Sequence, residues 1–221
     1  MKKAVISSLL AALGFLVTSC SSSDSMAGIQ DGKVKVATSQ TLARSGSSAG
    51  GISLPANVDA VALSKASTLP RDKHGMPTYS HTERTRVVRT TAYSHMEMEP
   101  GAPGRKNALG TILSYGQVRS AAADWSVYPV GTRFKIKGLP YTYVVDDFGS
   151  ALVGTNTIDI FHPSLSLMNA WGTRKAEITV IQWGSMERTA NILSKRLKYP
   201  HTRRMFYAAQ SKLKSGQVAS N

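Results

Sequence analysis

The stretch 142-TYVVDDFGSALVGTNTIDIF-161 sets three aspartates, Asp146, Asp147 and Asp159, in apolar, glycine-containing surroundings. It enters on the β-branched and aromatic run Tyr141-Thr142-Tyr143-Val144-Val145 and leaves on Ile158-Asp159-Ile160-Phe161. Both ends read as short strands, with a turn at Phe148-Gly149-Ser150 between them. Strand alternation puts Asp159 on the face opposite its two isoleucines. If the isoleucines pack inward, Asp159 faces a groove or solvent. A carboxyl in a partly apolar groove binds its proton more tightly and can act as an acid near neutral pH. Asp146 and Asp147 face opposite ways on a regular strand, so one of them shares a site with Asp159. Asp147, nearer the turn, is the candidate. Aspartate before a glycine turn also serves plain turn chemistry, so the pattern alone does not define a site. Asp147-Phe148-Gly149 matches a kinase tripeptide, but the Gly-rich loop, the strand lysine and the His-Arg-Asp segment are missing, which excludes that reading.

Outward from this stretch the texture stays β. Residues 87–93 are β-branched, residues 132–137 alternate with period two, and residues 176–183 alternate again before Gly184. Gly138-Leu139-Pro140 is a tight turn, residues 94–110 form a long Gly/Pro loop, and residues 164–171 form a short helix with Ser164 as its cap and Gly172 as its stop. Several short strands, Gly/Pro loops and one small helix argue for a compact β-barrel.

The first residues point to export. Met1-Lys2-Lys3 is a positive n-region, and the apolar run to Val17 is too short to span a bilayer. It ends at Val17-Thr18-Ser19-Cys20, which resembles a bacterial lipobox, and Cys20 is the only cysteine of the chain. The expectation is a signal peptide over residues 1–19, a lipid on Cys20, and residence in the cell envelope on the periplasmic face of the outer membrane, as Ser21 rather than Asp follows. Residues 20–80, rich in Ser, Ala and Gly, read as a flexible tether. The chain carries a formal charge of +14 and stays strongly basic without the leader. For an exported protein this directs attention to anionic wall and membrane groups and away from nucleic acid.

After Gly184 the pattern is helical. Ser185 caps a run through Leu197, Pro200 interrupts it, and a second run covers residues 203–213. Residues 185–221 hold eight Lys/Arg against the single acid Glu187, whereas residues 110–184 are nearly balanced, with six Lys/Arg and five acids. Three readings of this basic appendage stand open: a helix pair closing the barrel, a membrane- or glycan-facing patch, and a disordered tail. His74, His81, His95, His162 and His201 show no metal-ligand spacing, so neither metal nor cofactor is expected.

Thr90-Thr91-Ala92-Tyr93, Ala122-Ala123-Asp124-Trp125, Tyr128-Pro129-Val130-Gly131-Thr132-Arg133-Phe134, Asp147 to Gly154 and Ile158-Asp159-Ile160-Phe161 together resemble the 3D domain, named for three aspartates. The likeness continues through Ala170-Trp171-Gly172 and Glu177-Ile178-Thr179-Val180 and runs over residues 86–184. The domain is similar to the catalytic barrel of membrane-bound lytic transglycosylase A and to cell-wall resuscitation and stationary-phase factors. The resemblance implies a six-stranded double-psi β-barrel. It implies Asp159 as the catalytic acid/base, Asp147 as its supporting acid, and Asp124 as the third family aspartate, which can serve mainly to shape a loop. Tyr93, Gly149 and, from charge alone, Arg133 or Lys135 are the candidate substrate-binding residues. Peptidoglycan glycan strands are the implied substrate, cut between N-acetylmuramic acid and N-acetylglucosamine. A non-catalytic wall-binding lipoprotein and an envelope tether are the alternatives. The chain departs from the family in two places. Phe148 stands where Thr is expected, and the spacing from Gly154 to Asp159 is one residue longer.

Overall fold

The structure, a computed structural model, describes residues 58–97 and 104–217. The expected signal peptide, Cys20 and the first part of the expected tether lie outside the described residues.

Six strands close on themselves into a barrel: β1 (Thr85–Tyr93), β2 (Val118–Ala122), β3 (Arg133–Ile136), β4 (Thr142–Asp147), β5 (Thr157–Phe161) and β6 (Arg174–Gln182). Around the ring the order is β1-β5-β2-β4-β3-β6. The pairs β1/β5 and β2/β4 are parallel, and the other four are antiparallel. Closure leaves no unpaired strand edge. Strand β3 alternates as its period-two sequence requires. In β3, Phe134 and Ile136 are buried while Arg133 and Lys135 are exposed. In β5, Ile158 and Ile160 are fully buried and Asp159 is turned away from them. With Val88, Ala121, Tyr143, Val145, Ala176, Ile178 and Val180, these side chains fill the interior.

Two close approaches fix the barrel's corners. The β3–β4 turn carries a hydrogen bond from Leu139 N to Ile136 O (3.0 Å), with Gly138 at φ +82°, a left-handed position open to glycine. Gly184, where β6 ends, lies against the chain at residues 129–132. A Cβ there would sit 2.3 Å from Val130 O and 2.4 Å from Pro129 O.

Helix α1 (Ala60–Ser67) starts on Asp59, whose carboxylate accepts from Val61 N, and whose own N–H donates to Glu177 on β6 (2.9 Å). Ala66 packs with Met76 and Val87. Asp72 accepts from His74 N and Met76 N through one oxygen and from Asn156 N through the other (2.6 Å). The tether expected to reach residue 80 is therefore not a tether over residues 58–80. Ala66 and Met76 pack on Val87 of β1, and Asp59 bonds Glu177 of β6, contacts that a linear pattern does not reveal.

Helix α2 (Leu165–Trp171) has Ser164 as cap and Gly172 at φ +61° as stop, as expected. Helix α3 (Met186–Ser194) is capped by Ser185 but ends before Leu197, and α4 (Pro200–Lys214) begins on Pro200 rather than after it. A proline at the first helical position loses no intrahelical bond. Of the three readings of the basic appendage, the packed helix pair is observed for residues 186–214. Leu193 and Met205 join the barrel core, Thr189 Oγ1 accepts from Val130 N (2.9 Å), and Met186, Ala190 and Ala209 pack between the helices. The basic groups lie mainly on the outer side.

Candidate functional site

Strand β2, paired parallel with β4 and antiparallel with β5, brings the aspartates together. Asp159 on β5 and Asp147 on β4 are both registered with Ala122 on β2, one on each side. The β2/β4 register shifts between Ala121 and Ala122, so Val145 pairs with Ala121 and Asp147, not Asp146, pairs with Ala122. This irregularity re-aims the side chains, a common use of a bulge beside a site. Asp147 and Asp159 line a cleft of about 560 Å³ together with Tyr93, Asn107, Phe148 and Arg196. Asp146 turns elsewhere and accepts from Ser120 Oγ (2.7 Å) and Asn107 Nδ2 (2.9 Å). Of the adjacent pair, Asp147 and not Asp146 lines the cleft.

The two cleft carboxyls differ in their partners. Asp159 Oδ1 accepts from Thr91 Oγ1 (2.6 Å), and its other oxygen has no protein donor among the described residues. Asp147 Oδ1 accepts from Phe148 N (2.9 Å) and Ala108 N (3.1 Å), and Oδ2 accepts from Tyr93 OH (3.2 Å). Burial raises Asp159 to about 6; Thr91 opposes the shift, and Glu97 and, least of all, Asp147 add to it. Burial also raises Asp147 to about 6, with Phe148 N and Tyr93 OH pulling the other way and Asp146 adding to the rise. The rise of Asp159 is thus mainly desolvation. Three donors on Asp147 suit an anion, whereas Asp159, with one, is free to exchange a proton with a ligand.

The loop over residues 105–112 was legible only as a loop. It delivers the Ala108 amide to Asp147, and Asn107 holds it in shape. The Asn107 side chain accepts from Leu109 N and Thr111 N and donates to Asp146. Arg196, from the α3–α4 connection, donates to Ala108 O (2.7 Å) and closes one end of the cleft. Asn107 and Arg196 carry no local mark of a site role, and Thr91 only its place in the Thr90–Tyr93 run; register and long-range contact place all three here.

Of the expected site residues, Tyr93 and Gly149 line the cleft. Asp124 does not: it is buried, accepting from Ser126 N (2.8 Å), Ser126 Oγ (2.7 Å) and Gly154 N (2.7 Å). It pins the residue 124–128 turn to the Gly154 turn, the loop-shaping role foreseen for it as an alternative. Arg133 and Lys135 are exposed on the outer face of β3 and are not among the cleft residues, because strand alternation turns them away from the interior. Phe148 packs edge-on against Trp125 (centroids 4.8 Å, 78°), so its bulk builds the cleft wall rather than filling the cleft.

A barrel with a two-aspartate cleft at its strand junctions is thus the class of protein defined by fold and site. The model of the family described as the 3D domain matches residues 119–192, and this part of the chain is a 3D domain. That domain is associated with peptidoglycan-acting proteins of the lytic-transglycosylase type. The match begins in β2 and ends within α3, so β1 and α4 lie outside it. No curated protein sequence matches the chain.

Proposed function

We propose that the protein is a peptidoglycan-cleaving enzyme of the lytic-transglycosylase type, built on a double-psi barrel and held in the envelope by a lipid on Cys20, at the periplasmic face of the outer membrane. The observation that carries the reading is the pairing of Asp147 and Asp159 on either side of Ala122 in one cleft, both with carboxyls raised to about 6. The two parallel pairs, β1/β5 and β2/β4, support the double-psi topology.

Asp159 enters the reaction protonated. It gives its proton to the glycosidic oxygen between N-acetylmuramic acid and N-acetylglucosamine as the C1–O bond breaks, and positive charge spreads over C1 and the ring oxygen. Asp147, kept as a hydrogen-bond acceptor by Tyr93 OH and two backbone N–H groups, stabilises that charge. The Asp159 carboxylate then takes the proton of the C6 hydroxyl while O6 closes onto C1. The products are an N-acetylglucosamine end and a 1,6-anhydro end, and Asp159 is protonated again.

The test is mass spectrometry of purified peptidoglycan digested with the wild-type protein and with Asp159→Asn. Anhydro-muropeptides lost in the variant support the proposal. Reducing-end products lost in the variant make the site a hydrolase. Binding without product from the wild-type protein refutes catalysis and leaves a wall-binding module.

A further inference from the structure

The cleft does not end at the aspartates. Phe148 and Arg196 line both it and a second cavity of about 280 Å³ completed by Tyr199, His201 and Thr202. Arg196 comes from the α3–α4 connection and His201 from the first turn of α4. The Tyr199 and His201 rings stack (5.8 Å, 29°), and His201 lies 5.9 Å from Phe148. Tyr199 is 53% exposed, a large aromatic face left open to a ligand.

Arg196 is the cation of this wall. Its guanidinium lies 5.9 Å from the Phe148 ring centroid and uses one N–H on Ala108 O. Five N–H donors are available on a guanidinium, and among the described residues no carboxylate pairs with it; the ion pairs there involve Lys65 and Lys137. A guanidinium beside aromatic faces matches a saccharide carrying a carboxylate. The sugar's C–H face stacks on a ring, and the carboxylate accepts from the planar fork. A neutral glycan offers such a cation hydroxyl and amide oxygens but no charge to pair with it. The two aspartates, in turn, repel an anion, so a carboxylate is best held at the far end of the cleft, where Arg196 stands.

We propose that Arg196, with Phe148, Tyr199 and His201, forms a subsite for a carboxylate-bearing sugar unit of the bound strand. The carboxylate is either the lactyl group of a muramoyl residue or one on its stem peptide. The subsite rests on the peptidoglycan reading of the aspartate cleft. Arg196, Tyr199 and His201 lie beyond residues 119–192, so of the subsite the matched domain supplies only Phe148.

The test uses the full-length protein in detergent micelles, carrying Asp159→Asn to prevent turnover, with and without Arg196→Gln. Glutamine keeps an N–H for Ala108 O and removes the charge, and equal melting temperatures verify folding. Calorimetric titration uses a chitin oligosaccharide, a peptide-stripped wall oligosaccharide with free lactyl carboxylates, and a peptide-bearing wall fragment. The expected result is a Kd raised roughly tenfold for carboxylate-bearing probes only. Confinement to the stripped probe identifies the lactyl group; confinement to the peptide-bearing probe identifies the stem. An equal change for all three probes, or no change, overturns the proposal. Tyr199→Ala should weaken all three probes several-fold; no effect removes Tyr199 from the subsite. A parent protein that binds no probe refutes the peptidoglycan reading itself, a result distinct from failure of the Arg196 subsite alone.

Discussion

Asp159→Asn should make the protein more stable at neutral pH and, on the proposed mechanism, abolish peptidoglycan cleavage. Burial raises the Asp159 carboxyl from 3.8 to about 6. Each pKa unit corresponds to about 1.4 kcal/mol, so the ionised group disfavours the folded state by about 3 kcal/mol at most. Because the folded protein binds this proton more tightly than the unfolded chain does, stability falls as pH rises through the window from 3.8 to about 6 and levels off above it. Asparagine is neutral throughout and still accepts from Thr91, the partner now at 2.6 Å. Urea unfolding of both proteins measures the difference. At pH 7.5 the variant should gain roughly 2–3 kcal/mol, equivalent to about 5–10 °C in Tm. At pH 3.5, where the aspartate is protonated in both states, the gain should vanish. A variant less stable than wild type at pH 7.5, or a difference independent of pH, would refute the assignment of Asp159 as a desolvated carboxyl.

The remaining predictions concern the cleft and its supports. On the proposed mechanism, in which Asp159 enters protonated, peptidoglycan cleavage followed by product release should decline as pH rises above about 6. Thr91→Val removes the donor to Asp159 and should shift that limb to higher pH, visible in a pH–rate profile. Asp124→Asn places an amide N–H or an ill-matched oxygen against the Gly154 and Ser126 donors; it should cost about 1–3 kcal/mol in denaturant unfolding while the folded fraction keeps its activity. Gly184→Ala drives a Cβ to 2.3 Å from Val130 O and should cost more than about 3 kcal/mol or prevent folding, as read by circular dichroism on heating.

Much of the fold was legible because its signals are local. Ser164 and Ser185 cap helices, Gly138 and Gly172 take left-handed backbone, and the period-two runs became β3 and β6. The strand β2 was not legible. Its Ser120, Ala121 and Ala122 are small, with little β-propensity, and they are buried because the barrel crowds them. Residues 58–80 read as low-complexity chain, yet Ala66, Met76 and Asp72 find partners far along the sequence. Proline at 200 reads equally as a stop or a start, and only the packing of α4 on the barrel selects the start.

The sequence by itself determined which carboxylates turn away from the core. Alternation around Ile158 and Ile160 turns Asp159 away from the core, and position beside the turn favours Asp147. Tertiary structure decided what surrounds them. The register shift at Ala122 aims Asp147 into the cleft, Thr91 reaches Asp159 across a parallel pair, and Arg196 arrives from the α3–α4 connection, beyond the matched domain. Periodicity is a property of neighbouring residues, whereas a site is made by strands that are distant in the chain and adjacent in the barrel. The cost of burying a charge, which tunes both aspartates, exists only once those strands have closed.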